Sequence, residues 1–189
     1  MKTQHRLLFA LLLLLVAVFG RLGLQELNIP NIEPLTFAIL LAGVYLGGNY
    51  AIAIAILSIG ITDAVIGNDI IFIFTWSAWM IIAVFGLVFY GRNMSLTQRT
   101  LGITGMGILA NLFFYAWTNF GVWAVGNLYP LTWDGLVACY IAGLPFLKLQ
   151  ILGNLVMIPV ATVLFNGLAE TFLQSSRRHE HEAVPTVIK

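Results

Sequence analysis

The stretch PLTFAILLAGVYLGGNYAIAIAILSIGITDAVI, residues 34–66, contains two long apolar runs and a single charged residue, Asp63. The runs cover residues 34–47 and 50–66, and only a short Gly-Gly-Asn sequence, which is typical of a turn, separates them. A helix needs about 20 mostly apolar residues to cross the hydrocarbon core of a bilayer. The stretch therefore predicts two adjacent membrane helices, of which the first is short.

The rest of the chain continues this pattern. Of its 189 residues, 60% are hydrophobic and 9% are charged, whereas roughly a quarter of an average soluble domain is charged. The sequence lacks the alternation of a membrane β-barrel, so we expect an all-α integral membrane protein with a six-helix transmembrane domain over residues 1–172. The predicted spans are residues 7–20, 34–47, 50–66, 70–90, 101–125 and 145–172. Residues 173–189 are predicted to form a polar cytoplasmic tail without regular structure.

The positions of Lys and Arg predict the orientation, because cytoplasmic loops are enriched in both. With the amino terminus inside, the cytoplasmic cations are Lys2, Arg6, Arg92, Arg99, Arg177 and Arg178. Only Arg21 and Lys148 then lie toward the outside, together with five acidic residues. Six spans place both termini in the cytoplasm. The first 20 residues also resemble a secretory signal, but an uncleaved first helix is favoured.

The chemistry of the apolar body excludes several functions. All three histidines lie in the terminal segments (His5, His179 and His181), and Cys139 is the single cysteine. The sequence therefore predicts no metal site and no cofactor, and it argues against an enzyme, including one acting on lipid. A net charge of +1 argues against nucleic-acid binding, which needs a basic face.

Acids, amides and aromatic residues concentrate in the connections predicted to face outward, which favours an outward-facing pocket for a small molecule. We expect loop one to act as its lid. The predicted pocket residues are Asn31, Glu33, Asp63, Trp76, Asn119, Trp123, Tyr129, Lys148 and Asn154. Individual Trp and Tyr residues could instead anchor the chain at the membrane interface. Lys148 could pair with Asp63 or Asp134, or meet an anionic group of a substrate. Asn119 and Asn154 could bind ligand or join helices, whereas Asn111 is expected to join helices.

Small residues also recur at spacings that let membrane helices approach closely. They could pack helices within this chain, or they could form a docking face for another membrane subunit. The residues considered for docking are Ala10, Ala17, Ala51 and Ala55.

Two strings carry a family resemblance: TNFGVWAVGNLYP at residues 118–130 and GLVACYIAGLPF at residues 135–146. Gly153-Asn154 and the pattern NIEPLTFA at residues 31–38 accompany them. Together they resemble a bacterial family of six-helix membrane proteins without an assigned function. That family is in turn similar to the substrate-binding (S) components of energy-coupling factor (ECF) vitamin transporters.

The resemblance implies a bacterial inner-membrane protein that captures a vitamin or similar micronutrient from outside. It also implies two kinds of partner, a transmembrane coupling subunit and cytoplasmic ATPases. S components display an Ala-x-x-x-Ala face on their first helix, but here residue 14 is Leu, so Ala10 lacks that counterpart. The alternative function is a non-catalytic membrane scaffold or assembly subunit, for which no pocket is expected.

Overall fold

The computed structural model describes residues 3–27 and 32–182, and it describes side chains as far as Thr171. Within those residues all regular structure is helical. The six α-helices are α1 (Thr3–Glu26), α2 (Pro34–Tyr45), α3 (Gly48–Ile66), α4 (Phe72–Phe85), α5 (Leu96–Val125) and α6 (Trp133–Glu182). A 3₁₀ turn, Gly86–Phe89, continues α4.

Five of these helices are long and apolar enough to cross a membrane; α4 reaches that length together with its 3₁₀ turn, as Phe72–Phe89. The exception is α2, with 12 residues. This confirms the all-helical class and the expectation that the second helix is short.

The short helix α2 lies at the centre of the bundle. It contacts all five other described helices, and eleven of its residues, from Pro34 to Val44, are buried. Its sequence carries no charge and is apolar on every side, which is typical of a helix surrounded by protein. Pro34 suits the first turn because that position has no intrahelical acceptor for an N–H group.

Two contacts show that α2 runs antiparallel to α1 along most of its length. Near the start of α2, a β-carbon on Gly20 would lie 2.9 Å from Cγ of Pro34. Just past its end, the Arg6 guanidinium donates a 2.6 Å hydrogen bond to the Leu46 carbonyl. The chain therefore crosses the bundle in α2 and returns in α3.

Helix α6 begins much earlier than the sequence predicts. It starts at Trp133 rather than near residue 145, and both Pro145 and Pro159 lie inside it. The cluster of aromatic and polar residues after Trp123 has the composition of a loop, but residues 126–132 alone connect α5 to α6. The α5–α6 hairpin is consequently the longest feature of the bundle.

Helix α6 also continues past the predicted end of the last span. Its backbone remains helical to Glu182, where the sequence predicts an unstructured tail. No Gly or Pro occurs between residues 168 and 184, so the strongest helix-terminating residues are missing there.

The small residues considered for docking pack inside the chain. Ala17, Ala51 and Ala55 have zero exposure in the hydrophobic core, and Ala10 packs partly buried against it. A partner could reach the three buried alanines only by separating the helices. We therefore assign them to internal packing.

Candidate functional site

A cavity of about 320 Å³ lies between α4, α5 and α6. It is lined by Ile71 and Thr75 near the start of α4, by one face of α5 from Phe114 to Val122, and by one face of α6 from Cys139 to Gln150. Leu128 and Tyr129 of the α5–α6 connection complete the lining. At 1.5 Å per helical residue, the α6 side of the cavity is roughly 16 Å long.

Asn119 reaches this cavity from α5. Its Nδ2 donates to the Tyr115 carbonyl over 2.9 Å, which uses one of its two N–H groups. Its Oδ1 has only a weak contact, at 4.0 Å, with the thiol of Cys139. A β-carbon on Gly143 would lie 2.5 Å from this oxygen, so glycine at position 143 leaves space for the amide.

Gln150 lies at the other end of the α6 lining. Its side chain is 8% exposed and lines the cavity, and no hydrogen bond to it occurs among the described residues. The sequence prediction missed Gln150 because an amide inside a helix can equally join two helices. Its position one turn before Asn154 was the available signal.

Two tyrosines hold the walls of the cavity together. Tyr115 of α5 donates to the carbonyl of Tyr140 over 2.6 Å, and Tyr140 of α6 donates to the carbonyl of Ala116 over 2.8 Å. Their rings meet edge to face with centroids 5.6 Å apart. These reciprocal contacts fix the α5–α6 hairpin alongside the cavity.

A second polar cluster joins α1, α3 and α4 and does not line the cavity. Arg21 donates to Thr62 Oγ1 over 2.8 Å and lies 3.4 Å from Asp63 Oδ1. The indole of Trp76 donates to the other oxygen of Asp63 over 2.8 Å, and the Asn68 amide donates to it as well. Asp63 therefore pairs with Arg21 rather than with Lys148.

Glu33 interacts electrostatically with this cluster. Its Oε1 is buried and has no hydrogen-bond partner within the described part of the chain. Burial raises the pKa of the Glu33 carboxyl, the Arg21 guanidinium opposes this rise, and the Asp63 carboxylate adds to it. The carboxyl thus precedes α2 in a position that disfavours its charged form.

The nine predicted pocket residues therefore fall into separate groups. Asn119 and Tyr129 line the cavity, whereas Asp63 and Trp76 lie in the Arg21 cluster. Asn31 lies outside the described residues.

Trp123 and Asn154 have structural partners instead. The indole of Trp123 donates to the Pro130 carbonyl over 3.0 Å, which ties the connection to α5. Asn154 donates to Asn111 Oδ1 over 2.9 Å, and both amides are buried between α5 and α6. Asn154 thus joins the two helices, as was expected for Asn111.

Lys148 lies on the outer face of α6. It is exposed and is surrounded by residues of its own helix, including Ile141, Leu144 and Leu152. It does not line the cavity, and no ion pair with it occurs among the described side chains. Position 148 follows Leu147, which does line the cavity, so the two side chains leave the helix in different directions.

Arginines lie at the opposite end of the bundle from the α5–α6 connection. The guanidinium of Arg6 lies over the Tyr50 ring, and that of Arg99 lies over the Tyr45 ring. Arg99 also donates to Asn166 Oδ1 over 3.1 Å. These contacts hold α1, α5 and α6 to the short connection between α2 and α3.

Neither a curated protein nor a solved structure matches the chain significantly. A family model does match, over residues 1–178. The chain therefore belongs to the family described as "Family of unknown function (DUF6580)".

Proposed function

We propose that this chain is a multi-pass membrane protein that binds a small molecule in the cavity between α4, α5 and α6. In this proposal it is the substrate-binding component of an uptake system, similar to the S components of ECF transporters. The cavity carries the proposal: its volume of about 320 Å³ is in the range of small-molecule sites. Its lining is mostly apolar with a few polar groups, the combination that orients a bound molecule.

The charge distribution supports an outward-facing cavity. Arg6, Arg92 and Arg99 lie at the end of the bundle that carries the α4–α5 connection. The cavity reaches the other end, where the α5–α6 connection lies. Because cytoplasmic segments are enriched in Lys and Arg, the cavity would open outside and both termini would lie in the cytoplasm. Bacterial origin is a further part of the proposal and rests on the sequence resemblance.

The chemistry of the cavity supports binding rather than catalysis. Its lining residues include no carboxylate and no imidazole, so the usual general acids and bases do not face a bound molecule. The sequence contains no nucleotide-binding loop. Active uptake would then require the coupling subunit and ATPases that the resemblance implies.

The proposal can be tested by identifying what the protein retains on purification. We would purify wild type, Ala142→Trp and Val137→Trp, and analyse the released small molecules by mass spectrometry. Ala142 lines the cavity, so an indole at this position would take up part of its volume. Val137 is 46% exposed on α6 and does not line the cavity, which makes it the matched control.

A molecule retained by wild type and Val137→Trp but lost from Ala142→Trp would support the proposal. Cells that express the protein with its coupling partners should then accumulate that molecule. Identical small-molecule contents in all three proteins would contradict binding in this cavity and favour a scaffold.

A further inference from the structure

The cavity has a specific polar pattern. Its lining residues carry no charge, and its polar groups are amides, hydroxyls and one thiol. Two charges that could have served it do not line it: Arg21 pairs with Asp63, and Lys148 lies on the outer face of α6.

Gln150 lines the cavity and forms no side-chain hydrogen bond within the described part of the chain. It is buried except for 8% of its surface, and neither its oxygen nor its amino group has a hydrogen-bond partner among the described residues. The oxygen and the amino group of Gln150 are not among the fully buried polar atoms, so both are accessible from the cavity and can pair with a ligand there. The glutamine offers one acceptor and a donor side by side.

Asn119 provides a second polar position. It lies beside Gly143, seven residues and hence about 10 Å along α6 from Gln150. Its Oδ1 and one N–H group remain available, as described above. Apolar surface from Phe114 and Phe146 also lines the cavity.

We infer that the ligand is an uncharged, ring-bearing molecule with a primary amide or lactam edge, and that Gln150 pairs with this edge. The inference rests on the proposed function and specifies its substrate class. An amide edge presents a donor beside an acceptor and can therefore satisfy both groups of Gln150, whereas a ketone or ether satisfies one. A carboxylate or an ammonium group would enter the cavity without a counter-ion, which disfavours charged molecules.

The test uses matched pairs of probes: benzamide with benzoate, and indole-3-acetamide with indole-3-acetate. Each pair keeps the ring and replaces the amide by a carboxylate. Binding would be measured by equilibrium dialysis at pH 7 with the full-length protein in lipid nanodiscs. The variants are Gln150→Leu, which removes the pairing group at similar size, and Gln4→Leu, the same substitution at an exposed position of α1.

We expect wild type and Gln4→Leu to bind at least one amide about tenfold more tightly than its carboxylate. In Gln150→Leu this preference should disappear through loss of amide affinity. The melting temperature of each variant would be recorded, so that unfolding is separated from loss of binding.

Three results would overturn the inference: a carboxylate bound as tightly as its amide, an amide preference retained in Gln150→Leu, or no amide bound at all. None of these results decides the proposed function. That function is tested separately, by whether wild type retains a molecule that Ala142→Trp loses. A retained molecule that is charged would overturn the substrate class and leave the proposed function supported.

Discussion

The side-chain oxygen of Asn119 lies 2.5 Å from the point where a β-carbon on residue 143 would be placed. Residue 143 is glycine, and this allows α5 and α6 to approach each other with an amide between them. Close approach at small residues is a common means of packing membrane helices. Here it also positions a polar group of the cavity.

We expect Gly143→Ala to lower the free energy of unfolding by about 1–3 kcal/mol, because the new methyl group overlaps the Asn119 amide. The cost should be smaller in an Asn119→Ala background, where the amide is absent. Reversible unfolding of the four proteins in mixed micelles measures this coupling. Equal costs in both backgrounds would mean that Asn119 does not occupy that position. Gly105→Ala is the control, because a β-carbon there meets nothing within 4 Å.

The Glu33 carboxyl should make stability depend on pH. Burial raises its pKa above the ordinary value of 4.5, so the folded protein binds this proton more tightly than the unfolded chain does. Stability from this group is complete below pH 4.5 and is lost as the pH rises through the raised folded pKa. Wild type should therefore lose stability relative to Glu33→Gln over that interval.

The measurement is the free energy of unfolding of wild type and Glu33→Gln from pH 4 to pH 8. The difference between the two isolates Glu33, because other titrating groups contribute to both curves. A difference that is constant with pH, or that changes in favour of wild type as the pH rises, would contradict a raised pKa.

The sequence predicts the general fold well because hydropathy identifies the long apolar segments that form the helices. The two apolar runs correspond to α2 and α3, with a short α2 as expected, although Gly48 and Asn49 of the predicted turn begin α3. The predicted start of α6 was wrong because Trp133 and Asp134 have the composition of a loop, although both lie in the first turn of the helix. Composition distinguishes polar from apolar segments, but it does not distinguish a polar first turn of a helix from the loop before it.

The candidate site was less predictable, because it depends on which helix faces meet. Asn119 and Tyr129 were selected for their chemistry and do line the cavity. Lys148 was selected on the same grounds, but its face of α6 points away from the bundle. Arg21 was not selected, although it pairs with Asp63 across 42 positions of sequence. Spacing along one helix cannot reveal such partners on another.

Topology can be measured with single cysteines placed in a Cys139→Ser chain. Trp133, at the start of α6, is 77% exposed, and Asn93 is exposed in the α4–α5 connection at the other end of the bundle. We expect an impermeant maleimide to label Trp133→Cys in intact spheroplasts and Asn93→Cys only after lysis. Labelling of both in intact spheroplasts, or the reverse pattern, would contradict an outward-facing cavity.

The most direct test of the central claim uses a single thiol at position 122, which lines the cavity and is partly exposed, in a Cys139→Ser chain. In right-side-out vesicles, methyl methanethiosulfonate should modify Val122→Cys in this chain, both alone and together with Val137→Trp. A small-molecule extract of the expressing cells should slow this reaction about tenfold when a molecule from it occupies most of the cavities. The Ala142→Trp substitution should slow the reaction without any extract. Modification at one unchanged rate, whatever the extract or the residue at position 142, would contradict an outward-facing cavity that binds a small molecule.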